Sequence, residues 1–258
     1  MARRFSFDYK LERADQHLQT LKEWVERWSS RNSYAITDKL DAQTGENVVT
    51  IEPVGSPPAH IGMIIGDILY DLRSALDQLA YALAVKNLGE PLLDKIARGS
   101  EFPIYEDPTD YSKHRKRKIG GVSPSAQTVI DGLQPFNAGP DFRSHPLWLL
   151  NELSNIDKHR APHLSAAHHG STQIPGQRVY VERLHFIRQA GLLESPTEII
   201  RYKAFPHSKT RRVNMKFNFV VDVVFAGEPV PNQPLTISLK ALRDYAAKEV
   251  IPKLRPFL

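Results

Sequence analysis

The chain has 258 residues, 41% of them hydrophobic and 24% charged, so it is long enough to bury a core and lies outside the disordered, collagenous and coiled-coil composition classes. It has no cysteine, which excludes a disulfide framework, thiolate metal sites, iron–sulfur clusters and cysteine nucleophiles. The net charge of +5 is uneven: residues 1–100 carry 12 basic and 14 acidic side chains, residues 101–258 carry 22 and 15, and this later surplus suits nucleic acid, an anionic ligand or an acidic partner.

Residues 8–31 place Leu11, Leu18, Leu21, Trp24, Val25 and Trp28 at helical spacing with charges between them, which predicts an amphipathic helix. Charges at Asp8, Lys10, Glu12 and Arg13 also stand where a signal peptide needs an apolar run, so a cytoplasmic location is expected. Residues 34–54 read as a hairpin around Thr44-Gly45-Glu46-Asn47. The period returns to helical over residues 60–87, the central helix, and stops at Gly89 and Pro91. Asp67 interrupts its longest apolar stretch well short of the roughly 20 residues that span a bilayer, so no membrane segment is expected.

Residues 90–122 lack sustained periodicity and contain Pro91, Pro103 and Pro108, which predicts a long exposed excursion. Ser123-Pro124 opens a short helix over 123–132, and Pro146 precedes a further helix over 146–161 that Pro162 ends. Three runs rich in Val, Ile, Tyr and Phe, at 178–187, 198–205 and 213–225, predict an antiparallel sheet, and 239–254 closes the chain as a helix. The expected class is α+β: one domain over residues 1–258, with a bundle of long helices and a small antiparallel sheet in the C-terminal half.

On the central helix Ile65, Ile68, Leu72, Leu76 and Leu79 form the core stripe, with Asp67 and Asp71 on one flank and Arg73 and Asp77 on the other. On the 146–161 helix Arg160 falls near the core direction set by Leu149, Leu153 and Ile156, while Asn155 and His159 share a flank and Asp157 lies opposite. An inward arginine needs a carboxylate, and Asp71 or Asp77 is the expected partner. Such a network of Asp71, Arg73, Asp77, Asp157 and Arg160 reads either as a functional site or as a structural inter-helix tie.

The segments Asp71-Leu72-Arg73-Ser74-Ala75-Leu76-Asp77-Gln78-Leu79-Ala80 and Asn155-Ile156-Asp157-Lys158-His159-Arg160 resemble the two signature helices of a group of uncharacterised actinobacterial proteins. The segments Glu101-Phe102-Pro103-Ile104, Gly132-Leu133-Gln134-Pro135-Phe136 and Pro146-Leu147-Trp148 fit the same group. More distantly, the arrangement is similar to HEPN domains, all-α ribonuclease or RNA-binding modules of bacterial defence and toxin systems whose motif places Arg-Asn or Arg-polar before a histidine. That resemblance implies an RNA-binding protein or a degenerate, metal-independent ribonuclease. In it His159 moves a proton, Asn155 shares the motif, and Lys158 or Arg160 stabilises the phosphorane charge. Ser154 stands where the family has its arginine, which favours the degenerate form.

The run Lys113, His114, Arg115, Lys116, Arg117, Lys118 is able to contact phosphates by charge alone and equally reads as a solvated loop. Arg201, Lys203, His207, Lys209, Arg211 and Arg212 bracket a hairpin turn and would extend a basic face. His159, His163, His168 and His169 with Asp157 suggest metal ligands, but Pro162 interrupts the helical pairing, and no metal site is expected. Neither a P-loop nor a Gly-x-Ser-x-Gly elbow is present, and no cofactor is expected. The competing expectation is a non-catalytic protein-interaction module with a structural charge network; a homodimer through the long helices fits either reading.

Overall fold

A computed structural model describes residues 4–31, 34–160, 162, 164–169, 181–186, 190–192, 196–204, 220–230 and 232–258. The protein is α+β, and its residues cluster into two compact units. Unit 1 draws on residues 1–22, 62–162 and 236–258; unit 2 draws on 23–61 and 163–235. Among the described residues no helix is long and apolar enough to cross a membrane.

Helix α1 (Ser6–Ser30) and the 30-residue α2 (Ala59–Leu88) are the longest elements. In unit 1 the α2 stripe is buried as its spacing demands, with Ile65, Ile68, Leu72, Leu76 and Leu79 all at 0% exposure. Phe7, Leu11 and Ala14 of α1 are buried too, as are Leu147, Leu150 and Leu153 of α6 (Pro146–His159). Residues 90–122 are not an exposed excursion. They hold α3 (Asp94–Gly99) and α4 (Pro108–Ile119), and Phe102, Tyr111 and Ile119 are buried. Asp107 caps α4 by accepting the Asp110 N–H at 2.9 Å, with Pro108 at the first helical position. Short prolines and caps thus broke the periodicity that sequence reading depends on. Helix α5 (Pro124–Gly132) follows, then a 3-10 segment (Pro135–Ser144).

The C-terminal helix of unit 1 is composite: α7 (Leu235–Tyr245), a π turn (Ala246–Val250) and α8 (Ile251–Leu254). It is tied to α1 by Arg243 on Asp15 at 2.5 Å and by Arg255 on Asp8.

Unit 2 carries two antiparallel sheets where one was expected. Strands β1 (Tyr34–Leu40), β2 (Asn47–Pro53), β4 (Val181–Phe186) and β6 (Thr197–Ala204) form a four-stranded sheet ordered β1-β2-β6-β4. Strands β3 (Leu164–His169), β5 (Ala190–Leu192) and β7 (Val220–Phe225) form a second sheet ordered β5-β3-β7. The predicted hairpin is present, with Thr37 opposite Thr50, and it pairs with β6, so the sheet is not confined to the C-terminal half. Gly45 closes the hairpin turn at φ +69, a left-handed conformation that suits glycine. Val49, Ile51, Ala166, Ile199, Ile200 and Tyr202 make the core of this unit. Much of the expected 213–225 strand lies outside the described residues.

Candidate functional site

Helix α2 distributes its charged residues between two sets of partners. Asp71 has a side chain only 3% exposed and accepts from Lys10 Nζ at 2.6 Å, with Arg13 at 3.6 Å and His17 at 3.7 Å from its other oxygen. All three bases come from α1, where spacings of three and four residues put them on one face. A carboxylate this deeply buried requires such compensation. Sequence reading offered Asp71 or Asp77 to Arg160; for Asp71 the partner is instead the amphipathic first helix, whose Lys10, Arg13 and His17 look like an ordinary solvent margin in sequence.

The second set surrounds Arg73 and Asp77. Arg73 donates to Glu101 at 2.8 Å and to the Phe102 carbonyl at 2.7 Å, and lies 3.3 Å from Asp77. Asp77 in turn accepts the Phe102 N–H at 2.9 Å, and Lys118 reaches Glu101 at 2.7 Å. Burial raises the Asp77 pKa, and the nearby Arg73 only partly opposes it. At Glu101 burial also pushes upward, but Lys118 and Arg73 outweigh it and hold the carboxyl below its ordinary value. Lys118 is lowered, chiefly because it is buried. Gln134 fixes the same segment by accepting the Tyr105 N–H and donating to the Pro103 carbonyl at 2.8 Å. The 101–104 and 132–136 segments are therefore joined by structural hydrogen bonds.

The basic run is largely committed. Lys118 is buried, Arg115 grips Asp131 through two bonds of 2.8 Å, and Lys113 meets Asp110 at 2.8 Å. Lys116 and Arg117 remain exposed on the last turn of α4, where cations also complement the helix dipole. In the sheet, Arg201 is held by Glu198 and Asp41, and Lys203 lies 3.6 Å from Glu182. His207, Lys209, Arg211 and Arg212 lie outside the described residues, as does His163, and nothing is described of the His168 and His169 side chains.

At the end of α6 the arrangement is reversed. Asn155, Lys158 and His159 share one face and are exposed. Arg160 is exposed as well: it is the C-cap, with extended backbone at φ −162 and ψ 150, so its side chain leaves the helical direction assumed for it and does not enter the core. The expected Arg160 tie to Asp71 or Asp77 is not formed. Asp157 lies over Gly66 of α2, where an added Cβ would come within 2.8 Å of both carboxylate oxygens. Burial raises its pKa, and Asp67 adds to the effect. Gly66 is eleven residues from Asp77, about 16 Å along the helix, so the α6 terminus and the Arg73 cluster are separate places. Ser154 is buried and bonds the Leu150 carbonyl at 2.7 Å. Among the described residues no group of three His, Cys, Asp or Glu is arranged to hold a metal ion.

Between these charged borders α2 exposes a line that sequence reading missed. Met63 is 74% exposed and Tyr70 67%, with Asp67 between them and exposed as well. Lys10 stands 4.7 Å over the Tyr70 ring. Met63 and Tyr70, spaced i, i+7 with Asp67 between them, fall opposite the core stripe, the signal by which this exposed pair was legible. One border of this face is basic, from Lys10 and Arg13 of α1, and the other carries Asp157 of α6 over Gly66, with Asp67 within the face. No family model, curated protein or solved structure matches the chain.

Proposed function

We propose that the protein is a non-catalytic interaction module that docks through the α2 face between α1 and α6, with a second copy of the chain as the occupant. The observation that carries this reading is the exposure of Met63 and Tyr70 on one face of α2, between borders of opposite charge. A two-fold axis running along α2 lays the basic border of one copy on the acidic border of the other, so Arg13 meets Asp157. The inner charged residues suit this role, because Asp71, Arg73 and Asp77 are consumed by partners within the chain.

Sedimentation velocity across a concentration series is the test. The parent should form a dimer, and Met63→Asp with Tyr70→Asp should abolish it without lowering the melting temperature. Arg13→Glu should weaken the dimer, and adding Asp157→Lys should restore part of it. A parent that stays monomeric at its highest soluble concentration refutes the self-association.

One observation favours a second reading, an RNA-binding or degenerate ribonuclease role of the HEPN kind: Asn155, Lys158 and His159 stand together on an exposed face. Acid–base chemistry at His159 also requires a cation for the developing phosphorane charge, a role for the exposed Lys158 or Arg160, since the buried Ser154 stands where the motif has its arginine. RNA affinity and cleavage by the parent and His159→Ala, at fixed salt, separate the readings. Cleavage that requires His159 would replace the interaction module with a nuclease.

A further inference from the structure

His145 stands immediately before α6 and serves as its N-cap. Its Nδ1 accepts the Leu147 N–H at 3.2 Å, while Pro146 occupies the first helical position and has no N–H to satisfy. Its Nε2 lies 3.2 Å from the Tyr245 hydroxyl, with the two rings edge-to-face at 5.3 Å. An imidazole that accepts at Nδ1 carries its single proton at Nε2, so the ring donates to the tyrosine oxygen. Tyr245 is the last residue of α7, directly before the π turn. One neutral ring therefore satisfies the first turn of α6 and also engages the composite C-terminal helix.

We infer that His145 is an acid-sensitive latch joining the N-terminus of α6 to the C-terminal helix. Protonation adds a hydrogen at Nδ1, the atom that accepts from Leu147, so the cap bond is lost while the Nε2 bond to Tyr245 persists. The new positive charge also sits at the positive end of the helix dipole. Nothing among the neighbours rescues it. From α7 the facing titratable group is Tyr245, kept a neutral phenol by burial and by Glu249 beyond it. On the capping segment Arg143 is exposed over the Phe142 ring, and Glu106 is engaged by the Trp148 indole N–H at 2.7 Å. No described carboxylate makes an ion pair with the imidazole. Burial accordingly lowers the His145 pKa from its ordinary 6.5.

The direction follows. The unfolded chain takes up this proton before the folded chain does, so the latch is complete above the ordinary value and is lost as the pH falls below it. The test compares the parent with His145→Asn, whose amide oxygen caps the helix without titrating. Between about pH 7.5 and pH 5 the parent should lose about 2–4 °C more in melting temperature than the variant. In the parent the His145 ring signal, assigned by its disappearance in the variant, should titrate below the ordinary value, and the Leu147 amide should exchange faster across the same transition. Parallel melting curves for the two proteins, or a His145 midpoint at or above the ordinary value, would overturn the latch. The Leu147 amide exchange is read on the parent alone, and exchange that does not speed up on acidification would overturn the latch even if the variant folds poorly.

Discussion

The two helices whose sequences look most alike in purpose, residues 71–77 of α2 and 155–160 of α6, use their charges in opposite ways. On α2, Asp71, Arg73 and Asp77 are drawn into contacts with α1 and with the 101–102 segment, and each is compensated by an ion pair or a backbone bond. On α6, Asn155, Lys158, His159 and Arg160 all face solvent. A charged side chain that leaves water must find its counterpart inside the chain, whereas one that stays in water need not. Charged residues beside an apolar stripe are thus structural or available according to what covers them, and covering is a tertiary property.

This contrast can be broken by mutation. The largest effect is expected at Lys10→Ala, which strands the buried Asp71 carboxylate with only its two more distant bases and should cost about 3 kcal/mol in urea unfolding. A loss under half of that would show that Asp71 is solvated. Asp77→Ala, which leaves the Phe102 N–H without its acceptor, should cost about 2 kcal/mol, and Asp77→Asn should recover most of it. Burial raises the Asp77 pKa above its ordinary 3.8, so the folded chain binds this proton more readily than the unfolded chain. Acidification into the window just above that value therefore relieves the strain of this carboxylate, and Asp77→Asn should remove that component from the stability–pH curve.

A smaller effect tests the closeness of α2 and α6. Alanine in place of a mid-helix glycine ordinarily gains about 1 kcal/mol. At Gly66 the methyl meets the Asp157 carboxylate, so the gain should appear in full only in an Asp157→Ala background, a coupling that a double-mutant cycle measures. Smallest of all, His159→Ala and Arg160→Ala should each change stability by no more than about 0.5 kcal/mol, in contrast to the few kcal/mol expected had Arg160 been buried. A large loss at either position would erase the difference between the two helices.

Much of the fold was legible because periodicity reports which side of an element is covered. The α2 stripe and the 34–54 hairpin follow their patterns closely. Where chain punctuation replaces periodicity the reading failed: Pro91, Pro103 and Pro108 suggested a loop, yet Pro108 begins a helix with Asp107 as its cap. Strand β3 was missed because Pro162 and a cluster of histidines conceal a short run whose Ala166 is a core residue. At the candidate site the residue types were visible and their partners were not. Glu101, Lys10 and His17 are separated in sequence from the carboxylates and arginine they complete, and a wheel drawn on α6 carried Arg160 inward across a boundary where the helix had already ended.

The pairing of α1 with the C-terminal helix, through Asp15–Arg243 and Asp8–Arg255, bears on how the chain is made. Unit 2 has all its residues once position 235 has been translated, but unit 1 recruits its last segment from 236–258. During synthesis, then, the buried Leu239, Leu242, Val250 and Leu254 emerge long after α1 and α2. Until they emerge, the core of unit 1 is incomplete, and its other apolar side chains are a surface that a chaperone would bind.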